Sequence, residues 1–258
     1  MPRLHDLALI RNILETDRPW AAYALADLEP AHAPFTTWIG ADDLSAVALV
    51  YRAFAVPIVL ASSTAVHIEP LLDEIDAELR DAAQFYGVVR PDVLGLLEQR
   101  YRILRSKHMF RMALDPAKWV PIGDAIRLGL GDLAAVQRLH ADGDAANETP
   151  DFFLPSMLES GAFFGVFEGR DLVASAGTHA IAPSVSVAAI GNVYTRRDRR
   201  GQGLGVRVTS AVTNELVKRG MRTIVLNVAK SNRAAIRVYE RLGFDVHCDY
   251  FEAVVVRC

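Results

Sequence analysis

The stretch Arg199-Arg200-Gly201-Gln202-Gly203-Leu204-Gly205 decides how the C-terminal half of this chain reads. It joins a β-type run, Val185 to Thr195, to an amphipathic run from Gly203 to Arg219. In the latter, Leu204, Val208, Ala211, Val212 and Leu216 fall on one helical face. Three alternate glycines let the backbone turn tightly and come close to a ligand with no Cβ in the way. The first-turn N–H groups of the helix have no intrahelical partner, and the helix dipole adds partial positive charge there. A diphosphate suits such a cradle, and Arg196, Arg197, Arg199 and Arg200 add charge around it. A Walker loop is excluded, since the lysine of G-x-x-x-x-G-K-[ST] is missing. A dinucleotide fingerprint fails as well: counted from Gly201, its last glycine falls on Val206, and the next strand ends at Asn227-Val228 without an acidic ribose partner. An R-x-x-G-x-G loop remains, matched by Arg200, Gly203 and Gly205.

Downstream, Gly220 stops the helix as a C′ glycine does. A strand, Arg222 to Val228, and a helix, Ser231 to Leu242, follow, the latter ended by Gly243. Upstream lie a short strand, Ala125 to Leu128, and a helix, Asp132 to Ala141. Strands Phe163–Phe167, Leu172–Ala180 and Val185–Thr195 come next, joined by turns at Glu168-Gly169-Arg170 and Pro183-Ser184. Short turns imply an antiparallel meander. The last residues form one or two strands, and the order is β-α-α-β-β-β-α-β-α-β-β.

The loop resembles the coenzyme A-binding motif of the GCN5-related N-acetyltransferases, the GNAT family. Asn232-Arg233-Ala234-Ala235-Ile236-Arg237-Val238-Tyr239 followed by Gly243-Phe244 is similar to that family's N-x-x-A-x-x-x-Y-x-x-x-G-F segment, and Gly191 to Thr195 sits where the family has its cofactor-facing strand. The resemblance covers roughly residues 121 to 258. It implies an α+β (mixed α/β) fold with a mixed central sheet. It also implies a cleft where the strands ending at Thr195 and Val228 part, acetyl-CoA as co-substrate and no metal. The implied cofactor contacts are Val193 and Thr195 to pantetheine, Arg200, Gly201, Gln202, Gly203, Leu204 and Gly205 to the pyrophosphate, and Asn232. Asn232 also reads as a plain N-cap. Tyr239 is implied as the acid that protonates the departing thiolate; a core tyrosine is the alternative.

The implied activity is transfer of an acetyl group from acetyl-CoA to a primary amine of a small-molecule or amino-acid-like acceptor, by direct attack in a ternary complex. The run Val185 to Thr195 has no acidic residue, unlike family members with a glutamate there. The general base is therefore open between His179, Glu148 and a water relay through Asn192. A backbone N–H near Val193 is expected at the developing oxyanion. Asp142 to Ser160 is expected over the acceptor site, with Phe152, Phe153 and Met157 as lining. The alternative function is a non-catalytic acyl-CoA-binding sensor or scaffold.

Polar, proline-bearing residues 115 to 120 suggest a boundary, with one domain at 1–118 and the catalytic domain at 119–258. The first domain mixes a helix at 4–15, strands at Phe35–Ile39 and between Ala46 and Ala61, helices at His67–Ala83 and Pro91–Tyr101, and a strand at Met109–Leu114. No glycine loop occurs in it. By analogy it reads as a degenerate GNAT-like half shaping the acceptor cleft, or as a dimerisation domain giving a homodimer. The 258 residues are 51% hydrophobic with a net charge of −3, which gives no basic footprint for nucleic acid. Cys248 and Cys258 read as reduced thiols. Charges early in the N-terminal segment interrupt any signal-peptide core, and Arg52 and Pro57 break the most apolar stretch short of a membrane span. A cytoplasmic protein is expected.

Overall fold

The structure, a computed structural model, describes residues 3–41, 43–144, 150 and 152–257. The chain forms two compact units. The first is Met1–Arg111 with Ala229–Ser231 and His247–Cys258; the second is Met112–Val228 with Asn232–Val246. These units interleave along the chain and so differ from the contiguous segments 1–118 and 119–258 expected from the sequence.

In the first unit, β1 (Arg3–Leu4), α1 (Leu7–Leu14) and α2 (Ala22–Ala26) precede a meander of β2 (Thr36–Gly40), β3 (Val47–Tyr51) and β4 (Ile58–Ala61). A crossover through α3 (Ala65–Ile68) and α4 (Leu72–Glu78) leads to β5 (Gln84–Val89), then α5 (Pro91–Arg100) and β6 (Arg102–Leu114), which belongs to this unit as far as Arg111. Antiparallel pairing joins β1 through β4, and β4 pairs with β5 in parallel. Val50, Val59, Phe85 and Val255 from strands and Ile68, Leu72, Ile75 and Leu97 from helices make one buried cluster. The buried Arg111 guanidinium donates to the carbonyls of Pro19 and Trp20 at 3.2 and 2.7 Å and lies over the Trp20, Tyr23 and Tyr250 rings.

Three expectations for this unit need correction. The helix expected over His67–Ala83 is broken by a 3-10 turn, Glu69–Leu71, and ends at Glu78; Pro70 supplies no amide donor. Gln84–Val89 is a strand with no clear sequence signature, because Gly87 hides its alternation: Phe85, Gly87 and Val89 are the buried positions. The strand expected to begin at Met109 begins at Arg102, in a run of exposed polar residues with no apolar period.

In the second unit, residues 115–125 carry no regular element but are fastened down. The Asp115 amide donates to Gly243 O (2.9 Å), the Ile122 amide to Ser210 Oγ (2.8 Å), and Arg207 to Asp124 O (2.9 Å). Then come β7 (Ile126–Arg127), α6 (Leu133–Ala141), α7 (Met157–Ser160), β8 (Phe164–Glu168), β9 (Asp171–Ala182) and β10 (Val187–Thr195). They are followed by α8 (Leu204–Lys218), β11 (Thr223–Ala229), α9 (Arg233–Arg241) and β12 (Phe244–Val256). β7 to β10 pair antiparallel, and β10 pairs with β11 in parallel. α8 buries Leu204, Val208, Val212 and Leu216 and ends in a Schellman motif. There the Met221 amide meets Leu216 O at 3.1 Å and the Gly220 amide meets Val217 O at 3.0 Å, with Gly220 at φ +77°. The closing residues form one strand, not two. From His247 on, β12 belongs to the first unit, where it pairs antiparallel with β5. Among the described residues no helix is long and apolar enough to cross a membrane.

Candidate active site

The loop between β10 and α8 exists because Gly201 and Gly203 adopt φ of +79° and +76°, a region that side chains with a Cβ disfavour. Nothing lies within 4 Å of where a Cβ would stand at either position, so the loop has open space over it. Gly203 caps α8 without a side-chain cap, and the first i→i−4 bond is Arg207 N to Gly203 O at 3.2 Å. The amides of Leu204, Gly205 and Val206 are the helix's unpaired donors, next to its positive dipole end. These features fit a bound diphosphate. Of the surrounding arginines, Arg196 pairs with Asp198 (2.7 Å), and Arg199 with Glu168 (2.7 Å) and Asp198 (2.8 Å). Both arginines are held in partly exposed ion pairs beside the loop. Arg200 reaches Thr195 O at 3.3 Å and lies over the Tyr194 ring.

The strands below the loop part. The β10–β11 ladder runs from Val187↔Thr223 to Ile190↔Leu226 and stops, although β10 continues to Thr195 and β11 to Ala229. Two irregularities in the β9–β10 ladder mark the same level. One extra residue on β9, His179, falls between the pairs Ala189↔Ala180 and Ile190↔Thr178; one extra residue on β10 falls between Gly191↔Gly177 and Tyr194↔Ser175. Asn192 sits in the second bulge at φ +53°. Bulges bend and twist a strand, and here β10 is turned just where it leaves β11. Beyond Ile190↔Leu226 the two strands have no mutual ladder pairs, and main-chain groups left unpaired at such a parting carry a cost that a strand-like ligand relieves.

A polar knot fixes the end of β10. The Tyr194 hydroxyl donates to Asp142 Oδ2 at 3.0 Å, and the Arg197 amide donates to the same oxygen at 2.9 Å. Burial and the neighbouring carboxylate push the Tyr194 hydroxyl up to about 12. His140, on α6, has Nε2 3.4 Å from Ser175 Oγ and its ring against Tyr194 and Phe153; burial drives it down to about 4. None of Tyr194, Asp142 and His140 was singled out from the sequence for a role at the site. The usable signal is Tyr194 itself, a polar-tipped aromatic at the end of a strand, which needs a partner when buried.

Tyr239 is buried on α9, edge-on to Phe244 with ring centroids 6.4 Å apart. Its hydroxyl bonds to no described residue, and burial holds its pKa well above the ordinary value. Asn232 is the cap foreseen: its Oδ1 accepts from the Ala235 amide at 3.1 Å. The His179 ring lies across Gly191, where a Cβ would collide with it, and meets Phe152 edge-on at 5.7 Å. Phe152, Phe153 and Met157 pack with Leu139, Leu158 and Phe163; Met157 also touches Asn192. Glu148 lies outside the described residues.

Residues 133–244 match the sequence profile of the Acetyltransferase (GNAT) family. Over 90 residues the chain is 37% identical to mycothiol acetyltransferase of Streptomyces scabiei, covering 34% of this chain and 28% of that protein. The chain therefore aligns with only about a third of its curated relatives' length, 28% and 32% for the first two. A GNAT-family protein from Novosphingobium aromaticivorans has a similar structure, with a TM-score of 0.65 over 94% of this chain and all of that one at 22% identity. A tandem GNAT protein from the clavulanic acid biosynthesis pathway gives a TM-score of 0.63 over 99% and 97% of the two chains at 14% identity. At such identities the structural likeness speaks for the fold, and the α+β class with a mixed sheet agrees with the strand pairings.

Proposed function

Because residues 133–244 belong to the acetyltransferase (GNAT) family, we propose that this protein transfers an acetyl group from acetyl-CoA to a primary amine of a small-molecule or amino-acid-like acceptor. The observation that carries the reading is the coincidence of an open glycine loop at the start of α8 with a β10–β11 ladder that stops at Ile190↔Leu226. The loop amides of residues 201–206 and Arg200 would hold the pyrophosphate, main-chain groups of Val193 and Thr195 the pantetheine, and Asn232 a further polar contact. Acetyl-CoA, when bound, supplies an acyl group activated as a thioester. Tyr239 keeps its proton at neutral pH, and its hydroxyl, unpartnered among the described residues, serves as the donor to the thiol leaving group. The Val193 amide is the oxyanion donor. His179, in the β9 bulge against Gly191, is the base candidate that the fold brings to the level of the parting. Acidic side chains are absent from β10, and Asp142 is engaged by Tyr194 and Arg197.

The first unit repeats the element order of the second: a three-strand antiparallel meander, a helical crossover to a parallel strand, a helix and a closing strand. We read it as a degenerate GNAT-like half. Its β4–β5 ladder, Ile58↔Tyr86 to Leu60↔Val88, continues to within one residue of both strand ends, leaving no parting. One coenzyme A per chain is therefore expected, in a cytoplasmic enzyme. The dimerisation alternative is tested by light scattering.

Titration calorimetry with coenzyme A, then thiol release from acetyl-CoA against amino acids, polyamines, aminoglycosides and short peptides, tests the proposal. Binding plus amine-dependent thiol release is the expected result. Binding without turnover across the panel would favour the non-catalytic acyl-CoA binder; no binding would end both readings.

A further inference from the structure

Asn192 carries two unfavourable features at one residue. It is 4% exposed and holds a left-handed φ of +53° inside a strand. Its Nδ2 points at Met157 Sδ, 3.6 Å away, and its buried Oδ1 receives no hydrogen bond from any described residue. The amide orientation is set by Met157: a thioether sulfur is a weak acceptor, so it suits the NH₂ side and not the carbonyl oxygen. A buried acceptor lacking a donor is rare in folded proteins and points to a missing partner. Asparagine tolerates the left-handed region better than most residues, yet glycine would hold this bulge without strain. The amide is thus retained at a cost, two residues past the last β10–β11 pair, with the His179 ring over the adjacent Gly191.

The missing partner must be a hydrogen-bond donor. Thioester and pantetheine carbonyls are acceptors and cannot serve. In the proposed reaction two groups arrive with N–H bonds: the pantetheine amides, which the reading above gives to the Val193 and Thr195 main chain, and the acceptor amine, which has no other assigned acceptor. We infer that Asn192 Oδ1 accepts one N–H of the acceptor's primary amine and so directs the nitrogen lone pair to the acyl carbon. The inference rests on the acetyltransferase reading above. It narrows the acceptor to an amine carrying at least two hydrogens when neutral, one held by Asn192 and one lost in the transfer. Secondary amines, with a single N–H, cannot be held and acylated at once.

The test uses the full chain and the best primary amine from the panel, compared with its N-methyl derivative. Asn192→Gly keeps the left-handed backbone and removes the amide; Asn192→Asp keeps an acceptor oxygen. Asn192→Gly is expected to lower acceptor kcat/KM by about 30-fold, with acetyl-CoA affinity by calorimetry within about two-fold of wild type. Its melting temperature should be equal or higher, because strain and an unpaired group are both removed; a purely structural asparagine would lower it. Asn192→Asp is expected to recover most of the lost rate, and wild type to prefer the primary amine over its N-methyl derivative. Acceptor kcat/KM in Asn192→Gly within about three-fold of wild type, or equal rates with the N-methyl amine, overturns the inference alone. Failure of the wild-type chain to bind coenzyme A overturns it together with the function it rests on.

Discussion

Tyr239 shows how a residue that looks like ordinary core differs from one when its polar atom is followed. Its ring is packed against Phe244, but among the described residues the hydroxyl has no hydrogen-bond partner, which a buried tyrosine normally finds. Replacing it with phenylalanine should leave coenzyme A affinity and melting temperature nearly unchanged while turnover drops by about 100-fold, the usual worth of a general acid. If turnover and affinity both stay put, the tyrosine only packs. His140 makes a prediction of another kind. The unfolded chain binds a proton near 6.5, whereas burial delays protonation of the native ring to about 4. Its contribution is complete above pH 6.5 and is lost as pH falls toward 4, up to about 3 kcal/mol. Urea denaturation midpoints should decline over that window, and His140→Gln should flatten the decline.

At the level of elements, α9 tests whether Asn232 is only a cap. Asn232→Ala removes the bond to the Ala235 amide and should cost about 1 kcal/mol of stability; if the side chain also touches the cofactor, coenzyme A affinity falls too, and calorimetry separates the two. The glycine loop, α8, the meander and α9 were legible from local signals alone: glycine spacing, a Leu204–Val208–Val212–Leu216 stripe, and turns at Gly169 and Pro183. Other features were not legible because their causes are not local. Gly87 conceals β5, and the side chains that pack beside it, Leu97 and Val255, come from elsewhere in the chain. The exposed first half of β6 has no apolar period to read. At the site, the motif residues were legible, but the bulge at Asn192 depends on pairing with β9, and the partners of Tyr194 depend on where Asp142 lands.

For the molecule as a whole, the boundary that composition suggested at residues 115–120 marks an irregular segment, yet the compact units exchange chain beyond it. Six consecutive pairs, Phe251↔Val89 to Val256↔Gln84, tie β12 to β5, and Ala253 and Val255 complete the apolar cluster of the first unit. A chain ending at Val246 should therefore lose the first unit's cooperative melting transition, because β5 is left with an open edge and a hollow beside Phe85. Calorimetric scanning of the shortened chain checks this; a retained transition would show that the strand is dispensable. The same feature sets an order of events on the ribosome. At about 5–20 residues per second, the stretch between β5 and β12 takes roughly 8 to 30 s to emerge. Throughout that interval the nascent N-terminal portion waits with an unfinished border, and it needs shelter, from a chaperone or from its own transient contacts, until its late-made strand arrives.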